Sequence, residues 1–108
     1  MIQDITSQEQ FDNLVLDKSA GLIVVDFRAD RCGPCKMLDP LLDELVASHD
    51  WKFVLAKVNT DDNQDILMEY NILSIPTILI FKSGQLVEDA LVGVLPLELY
   101  QEIIDKHS

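Results

Sequence analysis

Apolar positions along this chain fall into short runs and helical stripes that alternate from the N-terminus onward. Ile2 to Ile5 reads as a short edge strand. Thr6-Ser7-Gln8-Glu9-Gln10 then offers two overlapping capping boxes, Thr6 with Glu9 or Ser7 with Gln10. Phe11, Leu14 and Val15 share one face of the helix that follows, and Asp17 to Gly21 forms its exit. Leu22 to Phe27 is apolar on both faces apart from Asp26, the pattern of a central strand covered by helices on both sides. Pro34 suits the first turn of the next helix, where its missing N–H costs nothing. Met37, Leu38, Leu41, Leu42, Leu45 and Val46 carry that helix forward, with a kink expected at Pro40. Phe53 to Val58 is a second buried strand. Asp61, Asp62 and Asn63 are candidate caps for a short helix bearing Ile66, Leu67 and Tyr70. Thr77 to Phe81 is a third strand, and Lys82-Ser83-Gly84 turns it into a partner running from Gln85 to Val92. Pro96 opens a last helix with Leu97, Tyr100, Ile103 and Ile104 on its buried side.

The resulting order, β-α-β-α-β-α-β-β-α, predicts an α/β fold with a mixed sheet between helices. At 108 residues, 48% hydrophobic and 25% charged, the chain is expected to pack as one domain spanning residues 1–108. No apolar run approaches the roughly 18 residues of a membrane span. Met1-Ile2-Gln3-Asp4 lacks the basic and apolar segments of a secretory signal, which points to a cytoplasmic protein; an exported chain already processed reads the same way. A formal net charge of −11 repels polyanions, so nucleic acid is not an expected partner.

The two cysteines narrow the chemistry. They stand in Cys32-Gly33-Pro34-Cys35, and a disulfide between them closes so small a loop that it barely constrains the unfolded chain. A structural staple therefore explains the pair poorly. Cys32 falls at the start of the helix opened by Pro34, where unpaired N–H groups and the helix dipole favour the nucleophilic thiolate. Arg31 and Lys36 add positive charge. Cys35, one turn in, should be more buried and less ionised. This asymmetry suits an exchange in which Cys32 attacks a substrate disulfide and Cys35 then resolves the mixed disulfide. The competing zinc reading, with His49 beside the two thiols, lacks a fourth ligand, the other histidine being His107.

Val25-Asp26-Phe27, Cys32-Gly33-Pro34-Cys35-Lys36-Met37, Lys57, Ile75-Pro76-Thr77, Phe81-Lys82, Gly84 and Gly93 occur in an order that resembles the thioredoxin family across nearly the whole chain. The resemblance implies the thioredoxin fold, a central mixed sheet flanked by helices on both faces. It implies a protein-disulfide reductase that holds no bound cofactor beyond the Cys32–Cys35 disulfide and takes electrons from NADPH through a thioredoxin reductase. It implies disulfide-containing target proteins, no membrane, a monomer, and a part in cell redox homeostasis. Gly33-Pro34, with no histidine before the second cysteine, favours a reductant. Burial among Val24, Val25 and Phe27 should raise the Asp26 pKa by desolvation. The family places such an acid behind the second cysteine, where it assists deprotonation. Lys57, which could equally extend into solvent, is placed near Asp26 by the resemblance. The same resemblance makes the Ile75–Pro76 bond cis and gathers Gly33, Pro34, Ile75, Pro76, Thr77 and Gly93 into a docking surface for extended substrate.

Two positions depart from the family pattern. Arg28 and Arg31 stand where tryptophans are usual, exchanging apolar rings for cations. Arg28 has Asp30 or the Asp26 region within reach; Arg31 should lie exposed beside the groove, and together they should lower the Cys32 pKa and favour acidic targets. The hairpin before Gly93 is one residue longer than the pattern, which a bulge or a slightly longer turn would absorb. Trp51, the only tryptophan, lies away from the cysteines, so its fluorescence should report their redox state poorly. The rival functions are a disulfide oxidase or isomerase on the same fold, and a non-enzymatic accessory or chaperone-type binding subunit.

Overall fold

In the computed structural model, which describes residues 1–49 and 52–108, the elements follow in the order β1 (Ile2–Ile5), α1 (Gln8–Val15), β2 (Leu22–Arg28), α2 (Gly33–His49) and β3 (Phe53–Asn59). Then come α3 (Gln64–Glu69), β4 (Thr77–Lys82), β5 (Gln85–Leu86), β6 (Leu91–Val92) and α4 (Leu97–His107). Trp51 lies outside the described residues.

Apolar on both faces, β2 takes the centre of the sheet. It pairs parallel with β3 and antiparallel with β4, while β1 runs parallel on the far side of β3. The order is β1-β3-β2-β4-β5, with β6 also on β4, so the expected mixed α/β sheet is found. Alternation along β2 then sorts the core. Ile23, Val25 and Phe27 join Phe11 of α1 and Ile66 of α3 on one face. Leu22 and Val24 join Leu38 and Leu42 of α2 and Tyr100 and Ile104 of α4 on the other.

Of the two capping boxes, the one at Ser7 closes: its hydroxyl accepts the Gln10 N–H at 3.1 Å. Gln10 reaches back one residue further than the box requires, accepting from the Thr6 N–H at 2.8 Å. Asn63 stands at the N-cap of α3 without capping it. Its buried amide instead donates to the carbonyls of Ile5 (3.2 Å) and Asn59 (2.9 Å), tying the helix to β1 and β3. Helix α2 continues through Pro40, whose ring withholds the amide that the Lys36 carbonyl would accept.

The hairpin partner of β4 departs from expectation. One strand over Gln85–Val92 is replaced by two short ones, with Phe81 opposite Leu86 but Ile78 opposite Leu91. Where a regular ladder needs two residues opposite Leu79 and Ile80, the chain spends four, 87–90. The ladder is interrupted there by a wide bulge. Its polar Glu88 turns to α4, 2.8 Å from His107 Nε2 and 3.3 Å from Lys106 Nζ. At the turn itself Gly84 holds φ at +80°, and a Cβ there would lie 2.6 Å from the Leu16 carbonyl oxygen.

Candidate active site

The loop leaving β2 delivers Cys32 to the head of α2. The Ala29 carbonyl accepts the Cys32 N–H at 3.1 Å, and the Cys32 carbonyl accepts from Lys36 at 3.2 Å, which makes Cys32 the cap of the helix. Its Sγ occupies the place of a capping oxygen: the Cys35 N–H donates to it at 3.2 Å. A sulfur held there faces the positive end of the helix dipole, so negative charge on it is stabilised. Cys32 and Cys35 are joined in a disulfide with Cα atoms 5.2 Å apart. Cys32 is 8% exposed and Cys35 only 1%, so attack from outside meets Cys32 first.

A second loop meets this sulfur, and a third is tied to the second. The Ile75 carbonyl oxygen lies 3.9 Å from Cys32 Sγ, and the Ile75 side chain packs on Ala29, Cys32 and Cys35. The Ile75–Pro76 bond is cis. Pro76 is buried, and its carbonyl accepts the Gly93 N–H at 2.8 Å, with Gly93 at φ +86°. Tyr100 of α4 secures the same loop, its hydroxyl donating to the Gly93 carbonyl at 3.3 Å and accepting the Leu95 N–H at 3.1 Å. Gly33 and Pro34 are exposed within the first turn of α2. Thr77 differs from the rest of the expected docking set. Its side chain is buried, and the hydroxyl donates to the Ser74 carbonyl at 2.7 Å, closing the turn instead of facing a partner. Exposed apolar side chains stand nearby in sequence: Leu73, 95% exposed, precedes Ile75, and Val92 and Val94 flank Gly93.

Asp26 is 1% exposed, and neither of its carboxylate oxygens has a hydrogen-bond partner among the described residues. Strand alternation puts it on the α2/α4 face with Leu22 and Val24, beneath the helix that carries Cys35. Burial pushes its pKa up to about 7; Asp39 and Asp43 add to the rise, and Arg28 and Lys57 oppose it. Arg28 is engaged twice on the protein: Nε and Nη2 donate to the two oxygens of Asp39 at 3.3 and 3.2 Å, and Nη1 to Asp30 at 3.0 Å. Lys57 stands directly across the β2–β3 ladder from Asp26, and its Nζ donates to Asp43 at 3.3 Å. Both cations also line a groove of about 420 Å³. Arg31 is exposed, as expected, and paired with Asp61 at 3.1 Å.

The zinc reading fails on placement. His49 ends the 17-residue α2, roughly 20 Å along the axis from the cysteines, with Nδ1 against Ser48 and the Leu45 carbonyl. No cluster of metal-ligating side chains occurs among the described residues. Asp39 and Asp43 escaped the sequence reading, and Tyr100 entered it only as a core residue. A signal for the first two existed, because Cys35, Asp39 and Asp43 recur every four residues and so share one stripe of α2.

The thioredoxin family model matches residues 3–106. A thioredoxin of Staphylococcus aureus is 43% identical over 97 residues, covering 90% of this chain and 89% of its own. Among solved structures, Malassezia sympodialis thioredoxin superposes with a TM-score of 0.85 at 34% identity, over 99% of this chain and 90% of that one. Plasmodium falciparum thioredoxin gives 0.85 at 33% identity, over 98% and 99%.

Proposed function

The chain belongs to the thioredoxin family and is a thioredoxin-type protein-disulfide reductase, and we propose the residue roles and the electron supply through which it works. Cys32 is the nucleophile. Its thiolate attacks a target disulfide, forming a Cys32–target bond while the other target sulfur leaves with the electron pair and takes a proton from water. Asp26 then accepts the Cys35 proton; the Cys35 thiolate attacks Cys32, and the second target sulfur is released. Two electrons pass to the target, and the Cys32–Cys35 disulfide remains. The observation that carries this assignment is the cap geometry at Cys32, which holds one sulfur at the helix dipole and leaves the other buried one turn further into the same helix.

Lys57, across the ladder from Asp26, tunes that acid in concert with Asp43. Gly33, Pro34, Ile75, Pro76 and Gly93 form the docking surface, with Thr77 bracing it from within. Arg31 favours acidic targets at the rim. The working unit is a monomeric single domain across residues 1–108, acting in the cytoplasm. NADPH supplies electrons through a thioredoxin reductase, and neither nucleic acid nor membrane takes part. Among the described residues no helix is long and apolar enough to cross a membrane.

Reduction of insulin driven by NADPH and a cognate thioredoxin reductase tests the proposal. Steady NADPH oxidation is expected with the native chain and none with Cys32→Ser. A folded, reducible protein that fails to turn over would refute it.

A further inference from the structure

Two ion pairs bracket Asp26, and both are built by the α2 stripe that starts at Cys35. Asp39 takes the Arg28 guanidinium by two hydrogen bonds, and Asp43 takes the Lys57 ammonium. Arg28 and Lys57 come from β2 and β3, on the same sheet face as Asp26. The Arg28 side chain is 15% exposed and that of Asp39 is 23% exposed, so their pairing is only weakly screened by water. An unopposed cation at that depth would draw Asp26 into its anionic form and make it a poor proton acceptor.

We propose that Asp39 is a positioning residue of the exchange reaction: by clamping Arg28 in a bidentate pair it withholds that cation from Asp26, leaving Asp26 free to take the Cys35 proton. The inference rests on the acid–base role given to Asp26 above. It also assigns a purpose to Arg28, which stands where an apolar ring is usual. A lone guanidinium beside the buried acid would disable it, and a guanidinium joined to Asp39 adds no net charge.

The groups facing Asp26 are few enough to separate. Arg28 belongs to β2, with Asp30 just beyond the strand holding its third donor. Lys57 belongs to β3, and Cys35, Asp39 and Asp43 to α2; Tyr100 of α4 feels the Asp26 charge as well. Asp30 is 83% exposed, so its charge is the more strongly screened of the two Arg28 partners.

The test follows the Asp26 carboxyl by carbon NMR across pH in the native chain, Asp39→Asn, Arg28→Gln and the double variant. Release of target thiol from the mixed disulfide is timed over the same range. Asp39→Asn should lower the Asp26 midpoint by about one unit and Arg28→Gln should raise it by a similar amount. The double variant should return to within a few tenths of the native value. The thiol-release profile should move in the same directions. Simple loosening of the fold gives a different signature, because added water lowers the midpoint in both single variants. Midpoints that stay fixed, or that move together, overturn the proposal. Asp26→Asn separates the two levels of inference. If it alters the release profile while the Asp39 and Arg28 variants do not, the clamp alone is refuted; if it leaves the profile untouched, the role of Asp26 falls and the clamp with it.

Discussion

The two faces of the sheet use one strand in opposite ways. Towards α1 and α3, β2 presents Ile23, Val25 and Phe27, which join Phe11 and Phe81 in an apolar cluster. Towards α2 and α4 it presents Leu22 and Val24 and then Asp26, a carboxyl whose oxygens find no partner among the described residues. The first face carries no acid that titrates near neutrality. The second gives up stability, because an unpaired buried carboxylate is costly, and gains a group whose proton moves near neutrality. Neighbouring residues on a strand thus serve different ends, with only the pleat between them.

The contrast is sharpest in its pH dependence. Asp26 titrates at about 7 in the folded chain against an ordinary 3.8, so the folded state binds the extra proton between those values. The Asp26 contribution to stability is therefore full below about pH 4, is lost as pH rises through 7, and stays absent above it, a decline of roughly 4 kcal/mol. Urea unfolding of the oxidised protein across pH should show that slope, and Asp26→Asn should flatten it. Ile66→Ala, on the opposite face, should cost about 3 kcal/mol by the same measurement, equally at pH 5 and pH 8. A pH-dependent cost there would erase the distinction between the faces.

Smaller effects probe what orders each layer. Phe11 and Phe81 meet edge-on with centroids 6.2 Å apart. A double-mutant cycle replacing each with leucine should return a coupling of about 1 kcal/mol. Least affected should be Arg31→Gln, which removes an exposed pair belonging to neither face. Its stability should change by less than about 0.5 kcal/mol, and a larger loss would mean that the rim cation is structural.

Much of the site was legible in the residue order. The cysteine spacing, Pro34 behind Cys32 and the lone Asp26 in an apolar run are local signals, and local backbone physics acts on them directly. The hairpin was harder. Gln85 to Val92 reads as one strand because propensity is blind to register, whereas pairing with β4 leaves four residues opposite two and breaks the ladder at 87–90. Thr77 was hard to read for a related reason: nothing in its place beside Pro76 showed that the turn draws its hydroxyl inward to Ser74. Arg28 showed the limit most clearly, since Asp30 was the partner that sequence proximity offered, and the structure adds Asp39, 11 residues away.

By itself the sequence determined the strands and helices from β1 to β4 and the last helix, the lone acid in β2, and which sulfur heads a helix. These follow from periods of two and 3.6 residues and from capping, all decided within one turn or a few strand positions. Only the tertiary structure decided that Asp39 and Asp43 overlie Arg28 and Lys57, that Tyr100 secures the Gly93 loop, and that Ile75 closes over Cys32. Such contacts depend on how a helix is rotated and seated across the sheet, which is set by the packing of the whole layer.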